Sequence, residues 1–272
     1  MQLSIVIPCY NEAETIDRLV SVLDKTVADL ATRGHPTEVI VVDDGSHDAS
    51  FTKLEQAARE RAWLRVIRFR RNYGQTAALA AGFRAATGQV LIPMDADLQN
   101  DPADIPLLLA KLDEGYDVVS GWRRNRKDKM ITRKIPSWIA NWIIGRFLGL
   151  PLHDYGCTLK AYRREFLESV SLYGEMHRFI PVYAKWAGAR VTELVVTHHP
   201  RREGRSKYGI LRTFKVLLDL ATMKFLATTP PSRSISSAGL VSCCAQRAWW
   251  SRPTPCSRNT SNISGCTAIR CW

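Results

Sequence analysis

The sequence predicts an α/β protein with a Rossmann-like, mostly parallel central sheet. Short runs rich in Val, Ile and Leu alternate with segments of helical pattern from the first residues onward. Such alternation is typical of strands that are joined by crossover helices. The strand runs are continuously apolar, which indicates a sheet covered on both faces. Acidic residues gather where these runs end, at the edge where sheets of this kind bind ligands.

Strands and helices alternate through the first part of the chain. The predicted strands are residues 3–10, 38–45, 64–70, 89–97 and 116–122. The predicted helices run from residue 12 to about residue 30, from the second strand through residue 59, over the Ala-rich residues 74–87, and over about residues 102–114. Because strand order in such sheets commonly reverses between the first and fourth strands, we expect the ligand cleft there.

Composition limits the classes of protein to which the chain can belong. It has 272 residues, is 46% hydrophobic and 24% charged, and carries a formal net charge of +12. A chain of this kind buries a substantial core, which excludes disordered, collagen-like and disulfide-stapled classes. No apolar stretch is long and uncharged enough for an ordinary membrane span, and the first residues resemble a strand more than a signal peptide. We therefore expect a cytosolic chain.

The chain divides into three parts by its residue patterns. Residues 1–208 are predicted to form the main α/β domain, which includes an amphipathic helix over residues 135–150. Residues 209–228 are predicted to form a second amphipathic helix. Residues 229–272 hold most of the cysteines and show neither helical nor strand periodicity. This pattern predicts an aberrant tail of low order without a membrane span, as an altered reading frame would produce.

A basic run over residues 123–134 precedes the first of these amphipathic helices. A run of this kind is commonly a solvated face. The helix that follows, however, carries Trp138 and Trp142, and tryptophan is enriched where proteins meet a membrane interface. Basic residues beside such a helix are attracted to anionic lipid. The sequence thus favours a membrane surface as a partner, with packing of both helices on the sheet as the alternative.

The segment MDADLQ, at the end of the fourth strand run, carries the strongest chemical signal. In an extended segment alternate side chains share a face, so Asp95, Asp97 and Gln99 are expected to converge. Their oxygen atoms suit Mg²⁺ or Mn²⁺, with room for the oxygens of a diphosphate. A metal ion there would neutralise charge on a departing diphosphate. The alternative is that these acids only cap the next helix.

A nucleotide is the expected companion of such a metal ion. Tyr10, after the first strand, can stack on a nucleobase, and Asp43, at the end of the second strand, can accept a hydrogen bond from its ring N–H. Asp44 follows directly and adds a second acid at this strand end. The chain lacks the Gly-rich phosphate motifs of P-loop enzymes and of dinucleotide-linked dehydrogenases, which argues against both classes.

Taken together, the motifs resemble the family 2 glycosyltransferases of the polyprenyl-phosphate branch, to which dolichol-phosphate mannose synthase and bacterial undecaprenyl-phosphate sugar transferases belong. The segments that carry the resemblance span roughly residues 1–228 and are, in order, IPCYNEAETI, VVDDGS, NYGQTAAL, MDADLQNDP, HDYGCTLKAYRRE, GEMHRFIP and RREGRSKYG. The resemblance implies a GT-A fold, a nucleotide-sugar donor, Mg²⁺ or Mn²⁺, and inversion at the anomeric carbon. It also implies a polyprenyl phosphate acceptor, and hence a peripheral chain at the cytoplasmic face of the membrane.

The resemblance assigns roles to residues at the matching positions. The predicted nucleotide-binding residues are Pro8, Tyr10, Asn11, Glu12, Asp43, Asp44, Asp95, Ala96 and Ser206. The predicted metal ligands are Asp95, Asp97 and Gln99. The residues predicted to carry catalysis are Asp97 with the phosphate-binding cations Arg123, Arg201 and Lys207. Many relatives continue into two membrane spans that residues 229–272 do not offer, so anchoring and a possible homo-oligomer stay open.

The chemistry of the acceptor agrees with these assignments. A phosphate monoester is mostly dianionic at pH 7 and is already a nucleophile, so its site needs cations but no general base. A saccharide hydroxyl acceptor is the rival hypothesis, and it requires a general base, for which Asp154 and Glu175 are the candidates. A non-enzymatic nucleic-acid binder fits the basic charge but leaves the acids at the strand ends unexplained. We therefore expect no nucleic-acid partner.

Overall fold

The computed structural model describes residues 1–124, 145–146, 148–167, 174 and 176–200. A sheet of seven strands in the order β3-β2-β1-β4-β6-β5-β7 forms its centre. The strands are β1 (Leu3–Cys9), β2 (Thr37–Asp43), β3 (Leu64–Arg68), β4 (Val90–Pro93), β5 (Val118–Trp122), β6 (Lys160–Arg163) and β7 (Val191–Val195). This architecture confirms the predicted α/β class.

The described sheet is parallel except at one strand. β1 pairs in parallel with β2 and β4, β2 with β3, and β5 with β7. β6 runs antiparallel to both of its neighbours, β4 and β5. The chain builds outward from β1 to β3 and then returns to place β4 on the other side of β1. Strand order therefore reverses between β1 and β4, as predicted, and a ligand cleft is expected at this point.

Helices cover both faces of the sheet. They are α1 (Ile16–Thr32), α2 (Ser50–Arg59), α3 (Gln75–Ala85), α4 (Ile105–Asp113) and α5 (Ile180–Trp186), with 3₁₀ turns at Pro102–Asp104, Arg164–Phe166 and Met176–Phe179. α1 and α4 pack with Ile5, Ile7 and Val41 on one face. α3 and α5 pack with Ile40, Val42 and Tyr162 on the other. The alternate residues of β2 thus enter opposite cores, which explains its unbroken apolar run.

The helical pattern of α1 shows why these segments pack as they do. Its buried residues are Ile16, Leu19, Val20, Leu23 and Leu30, which recur at intervals of three and four. This spacing places them along one side of the helix, facing the sheet. Each fully buried aliphatic side chain contributes about 1.5–3 kcal/mol of transfer free energy. α1 begins at Ile16, later than predicted, because residues 12–15 form a turn closed by the Thr15 N–H to the Glu12 carbonyl.

Two expectations from the sequence are corrected by the structure. β4 ends at Pro93, so MDADLQ is not extended: residues 96–97 form a turn, and Leu98 has a φ of 55°. The argument that its side chains alternate on one face was therefore wrong, although the segment still lies where β4 ends. The sequence pattern predicts neither β6 nor β7. β6 is short and contains Lys160 and Arg163 instead of an aliphatic run.

Several predicted features lie outside the described residues. They are the amphipathic helices over 135–150 (residues 145–146 and 148–150 apart) and 209–228, the tail 229–272, and the basic run beyond Arg124. These features stay predictions. In the described part of the chain, no helix has the length and apolar character that a bilayer span requires.

Candidate active site

The predicted site residues emerge side by side at the carboxyl edge of the sheet. Cys9, the last residue of β1, lies in register with Asp43, the last residue of β2. On the other side of β1, Val6 is in register with Pro93 of β4. The Met94 N–H continues this ladder by donating to the Val6 carbonyl at 3.0 Å. The loop after β1 therefore lies between the acids that follow β2 and those that follow β4.

The loop after β1 is hydrogen-bonded to the loop after β2. The Asn11 N–H donates to Ser46 Oγ at 2.9 Å, and the His47 N–H donates to Asn11 Oδ1, also at 2.9 Å. The Glu12 N–H donates to Ser50 Oγ at 2.9 Å. Asn11 adopts a φ of 50°, a left-handed conformation that asparagine tolerates better than most residues. Both loops are thus held in one arrangement, and Asn11 makes two of the hydrogen bonds that join them.

Three further predicted residues, Pro8 near the end of β1 and Tyr10 and Glu12 in the loop after it, are partly exposed at the same edge. Asp43 beside them has no exposed surface, and its carboxylate accepts the Ser46 N–H at 3.3 Å. Arg68 Nε lies 3.9 Å from Asp43 Oδ2. A nucleobase therefore reaches Asp43 only if the groups covering it move aside. The assignment of a nucleobase contact to Asp43 stays a prediction.

Asp44 organises the loop that leads into α3. Its carboxylate accepts the N–H groups of Tyr73 and Gly74 at 2.7 and 2.8 Å. Burial raises the pKa of Asp44 above its ordinary value, although these two hydrogen bonds oppose the shift. At Gly45, with a φ of 70°, a Cβ atom would lie 2.4 Å from the backbone of Arg71. The DDGS motif is therefore packed directly against the chain that precedes α3, and nucleotide contact by Asp44 stays a prediction.

Asp95, the first acid after β4, is held from two directions. Gln75 Nε2 donates to its Oδ1 at 2.8 Å, and Thr158 Oγ1 donates to its Oδ2 at 2.6 Å. Gln75 is the first residue of α3, whereas Thr158 precedes β6. Two chain segments far apart in sequence thus converge on one carboxylate. Neither was identified from the sequence, although both lie in motifs, NYGQT and HDYGCTLK, that carry the family resemblance.

The residues that follow Asp95 differ in how far their side chains are exposed. Asp97 and Gln99 are partly exposed, and the Gln99 N–H donates to Asp97 Oδ1 at 3.1 Å. The Ala96 side chain is buried in the core, so only its backbone can contact a nucleotide. No group of three or more His, Cys, Asp or Glu side chains close enough to hold a metal ion occurs among the described residues. Two carboxylates and an amide, completed by phosphate oxygens, form an all-oxygen set that fits Mg²⁺ or Mn²⁺.

Arg123, at the end of β5, is paired with Asp154. Its Nε donates to Asp154 Oδ2 at 2.7 Å and its Nη2 donates to Oδ1 at 3.0 Å. Both side chains are nearly buried, with 12% and 11% of their surface exposed. Burial would raise the pKa of Asp154, but Arg123 and Lys160 hold this pKa below its ordinary value. Asp154 is therefore an ionised partner of Arg123.

The segment from Asp154 to Lys160 contacts both Arg123 and Asp95. Asp154 contacts Arg123, and Thr158 contacts Asp95. The charge of Asp95 is itself among the causes that raise the pKa of Arg123. Lys160 is buried behind this segment, with its Nζ donating to the Tyr155 carbonyl at 3.2 Å, and burial lowers its pKa to about 8. One short segment thus contacts both the predicted metal carboxylate and the predicted phosphate cation.

An aromatic pair lies next to Arg123. The rings of Trp122 and His153 stack with centroids 4.3 Å apart, and His153 Nδ1 is 2.7 Å from Glu193 Oε2. Arg124 lies 5.8 Å from the Trp122 ring centroid. These contacts anchor the residues that flank Arg123. The other predicted phosphate-binding and nucleotide-binding residues, Arg201, Ser206 and Lys207, lie outside the described residues, as does Glu175.

A mostly parallel sheet with its reversal point between β1 and β4, edged by carboxylates at that point, is an arrangement that GT-A glycosyltransferases share. Solved structures of this class resemble the chain. One is a mannosyltransferase from Pyrobaculum calidifontis in complex with GDP-Man and Mn²⁺, with a TM-score of 0.55 and 20% identity over 92% of this chain and 81% of that one. Another is glucosyl-3-phosphoglycerate synthase from Mycobacterium tuberculosis in complex with Mn²⁺ and UDP-glucose, with a TM-score of 0.61 and 19% identity over 85% of this chain and 80% of that one. These similarities confirm the GT-A fold.

The chain belongs to glycosyl transferase family 2, whose family model matches residues 4–171. It is 45% identical to dodecaprenyl-phosphate galacturonate synthase of Rhizobium johnstonii over 246 residues, 88% of this chain and 72% of that protein. It is 42% identical to undecaprenyl-phosphate 4-deoxy-4-formamido-L-arabinose transferase of Klebsiella pneumoniae over 241 residues, 88% of this chain and 72% of that protein. The resemblance to the polyprenyl-phosphate branch and the assignment as a glycosyltransferase are thereby confirmed.

Proposed function

We propose that this glycosyltransferase transfers a sugar from a nucleoside-diphosphate donor to a polyprenyl phosphate, with inversion at the anomeric carbon. The observation that carries the proposal is the Asp154–Thr158 segment, which contacts Arg123 at one end and Asp95 at the other. This segment brings a cation for the acceptor phosphate next to the carboxylates for the donor diphosphate. The names of the two relatives above, both of which include a polyprenyl phosphate, support the same acceptor.

The donor is held at the edge shared by β1, β2 and β4. Tyr10 is partly exposed there and offers a ring for stacking on the base. Asp95, Asp97 and Gln99 offer oxygen ligands for Mg²⁺ or Mn²⁺, which would supply charge neutralisation on the diphosphate leaving group. Asp95 and Asp97 are both partly exposed, and we assign both to metal binding.

The acceptor phosphate is held by Arg123. Its pairing with Asp154 uses the N–H on Nε and one N–H on Nη2, which leaves three of the five guanidinium N–H groups for other acceptors. These remaining donors form the end of the guanidinium that binds a phosphate in a forked geometry. Asp154 thus fixes the orientation of Arg123 without using all of its hydrogen-bonding capacity. Arg201 and Lys207 are proposed to complete the cationic site.

The reaction requires no proton transfer. An oxygen of the phosphate monoester, dianionic near pH 7, attacks the anomeric carbon and forms the new C–O bond. The C–O bond to the nucleoside diphosphate breaks on the opposite side, and the electron pair leaves with the diphosphate. The product is a sugar linked to the lipid by a phosphodiester, with inverted configuration.

The electrostatics of Asp154 argue against the rival acceptor, a saccharide hydroxyl. A general base works best with a pKa near the operating pH. Arg123 and Lys160 instead hold the pKa of Asp154 below its ordinary value, and both of its oxygens accept N–H groups of Arg123. Asp154 is therefore a poor proton acceptor. Since a phosphate acceptor needs none, the described part of the site favours the phosphate.

We further propose that the chain works at the cytoplasmic face of the membrane, as a peripheral protein. The lipid part of a polyprenyl phosphate stays in the bilayer, so the edge that carries Arg123 must approach the membrane surface. The basic run that begins at Arg123 supports this orientation, because anionic headgroups attract such runs.

The test is transfer itself. The full chain is incubated with Mg²⁺ or Mn²⁺, a short polyprenyl phosphate and a panel of UDP- and GDP-sugars, and the lipid-linked sugar is detected by mass. We expect product with at least one donor, and loss of product when EDTA removes the metal. A parallel panel of soluble saccharide acceptors tests the rival. Turnover with those saccharides but not with the lipid phosphate would contradict the proposal.

The matched variants are Asp97→Ala at the site and Asp113→Ala on the exposed side of α4. We expect Asp97→Ala to lower kcat/KM about 1,000-fold, which corresponds to about 4 kcal/mol of transition-state stabilisation. Its melting temperature should stay close to that of the wild type, because Asp97 is not part of the core. Asp113→Ala should retain full activity. Full turnover by Asp97→Ala would refute the metal assignment.

A further inference from the structure

The carboxylate of Asp95 is held in a way that its assignment as a metal ligand does not require. Gln75 Nε2 lies 2.8 Å from Oδ1, and Thr158 Oγ1 lies 2.6 Å from Oδ2. Each oxygen of the carboxylate therefore accepts a hydrogen bond. A carboxylate with a single donor still turns about its Cβ–Cγ bond, whereas donors on both oxygens fix the plane of the group.

Both donors come from parts of the chain that are themselves fixed. Gln75 begins α3, and the turn before it is held by Asp44 through the N–H of Gly74. The next residue, Thr76, is buried, and its Oγ1 donates to the Gly174 carbonyl at 2.5 Å. On the other side, Thr158 lies between the buried residues Cys157 and Leu159. Asp95 is thus held between α3, on the side proposed to bind the nucleotide sugar, and the segment before β6, on the side proposed to bind the acceptor phosphate.

The chemical type of the donors matters as well as their number. The amide N–H of Gln75 and the hydroxyl of Thr158 are neutral, so these two donors orient Asp95 without cancelling its charge. Asp154 contrasts with this arrangement, because the charge of Arg123 neutralises it. These two contacts of Asp95 thus fix its orientation through neutral donors.

We propose that Gln75 and Thr158 are positioning residues that orient Asp95 for the divalent metal ion. The inference rests on the proposed function, since it takes Asp95 as part of the metal site. Partners of this kind, which bind a ligand and not the metal, typically change metal affinity 10- to 100-fold when they are removed. The role of NYGQT in the sequence is then to deliver one of these partners, and that of HDYGCTLK to deliver the other.

The test measures metal affinity without relying on turnover. Mn²⁺ binding to the full chain is followed by the electron paramagnetic resonance signal of free Mn²⁺, with and without UDP. We expect Gln75→Leu and Thr158→Val each to raise the Kd for Mn²⁺ about 10-fold. Thr158→Ser keeps the hydroxyl and should stay within about twofold of the wild type. In turnover assays, the metal concentration for half-maximal rate should rise more than kcat falls.

Thr26→Val is the matched control, because Thr26 Oγ1 donates only within α1, to the Val22 carbonyl. It should leave the Kd unchanged, and thermal unfolding identifies any variant that fails to fold. An unchanged Kd in folded Gln75→Leu or Thr158→Val would overturn the role of that residue. If the wild type binds Mn²⁺ but both variants bind it equally well, only this inference fails. If the wild type binds no Mn²⁺, the metal-dependent function fails with it.

Discussion

The site has a donor half, with Asp44 and Asp95, and an acceptor half, with Arg123 and Asp154, and the two halves hold their acids in different ways. In the donor half, Asp44 accepts two backbone N–H groups, and Asp95 accepts an amide and a hydroxyl. All of these donors are neutral. In the acceptor half, Asp154 is paired with the guanidinium of Arg123, and Lys160 is buried nearby. The hydrogen bonds to Asp44 and Asp95 named here therefore leave the charge of these acids in place, whereas Arg123 neutralises Asp154.

This difference matches what each half has to bind. A metal ion needs carboxylates that retain their charge, and neutral hydrogen bonds orient such groups without neutralising them. A phosphate needs a cation, and an uncompensated guanidinium is costly to bury. Pairing with Asp154 stabilises Arg123 in a nearly buried position and still leaves N–H groups for a ligand. The same residue type, aspartate, thus serves opposite purposes at two ends of one sheet edge.

The sharpest test of this contrast compares Asp154→Asn with Asp44→Asn. Asp154→Asn leaves the nearly buried charge of Arg123 without its counter-ion, and we expect it to lower the free energy of unfolding by about 3–5 kcal/mol. Asp44→Asn weakens hydrogen bonds from neutral donors and should cost about 1–3 kcal/mol. Urea unfolding of both full-length variants measures the difference. Equal losses would show that the ion pair and the neutral hydrogen bonds do not differ in this way.

The close packing of the donor half is tested by Gly45→Ala. Gly45 has a φ of 70°, and an added Cβ would lie 2.4 Å from the backbone of Arg71. We expect a loss of about 2–4 kcal/mol from steric overlap and left-handed strain together. Gly34→Ala is the matched control, because Gly34 has a φ of 79° but no atom within 4 Å of the added Cβ. It should cost only the strain, about 1–2 kcal/mol. Similar losses in denaturant unfolding would rule out the packing argument.

The acceptor half should also show its own pH dependence. Burial lowers the pKa of Lys160 to about 8, whereas an unfolded lysine titrates near about 10.4. Between these values the unfolded chain binds more protons, so the stability contributed at Lys160 rises with pH. Relative to Lys160→Met, the wild type should therefore gain on the order of 1–3 kcal/mol between pH 7.5 and 10.

The comparison with Lys160→Met reduces the effect of Cys157 on the pH dependence, because both proteins contain this buried thiol. Burial raises the pKa of Cys157 to about 12, and this thiol opposes the effect of Lys160 over the same pH range. Urea unfolding at several pH values measures the stability difference between the two proteins. A constant difference would show that Lys160 does not titrate in this window.

The sequence predicted the strands β1 to β5 well and missed β6, and the reason is physical. Strands β1 to β5 are apolar runs, and hydrophobic periodicity is a local signal that a sequence displays directly. The position of the acids at the strand ends followed from the order of the strands alone. β6 gives no such signal, because its buried Lys160 is stabilised by surroundings that are formed only in the fold.

The pairing of Arg123 with Asp154 is a second feature that the sequence does not display. The two side chains are 31 positions apart in sequence, and no local pattern indicates that they meet. Asp154 therefore entered the sequence analysis as a candidate base, and only the folded geometry makes it the partner of Arg123. Gln75 and Thr158 were not identified for the same reason, since their shared target is Asp95.

The antiparallel strand β6 has a consequence for how the chain is synthesised. β6 lies between β4 and β5, so these two earlier strands have no direct hydrogen bonds to each other in the described sheet. Until residues 160–163 have left the ribosome, both strands present open edges of the kind that pair with other chains. Nascent or truncated chains that stop before this point are therefore expected to need a chaperone, and expression boundaries for this protein should lie beyond β6.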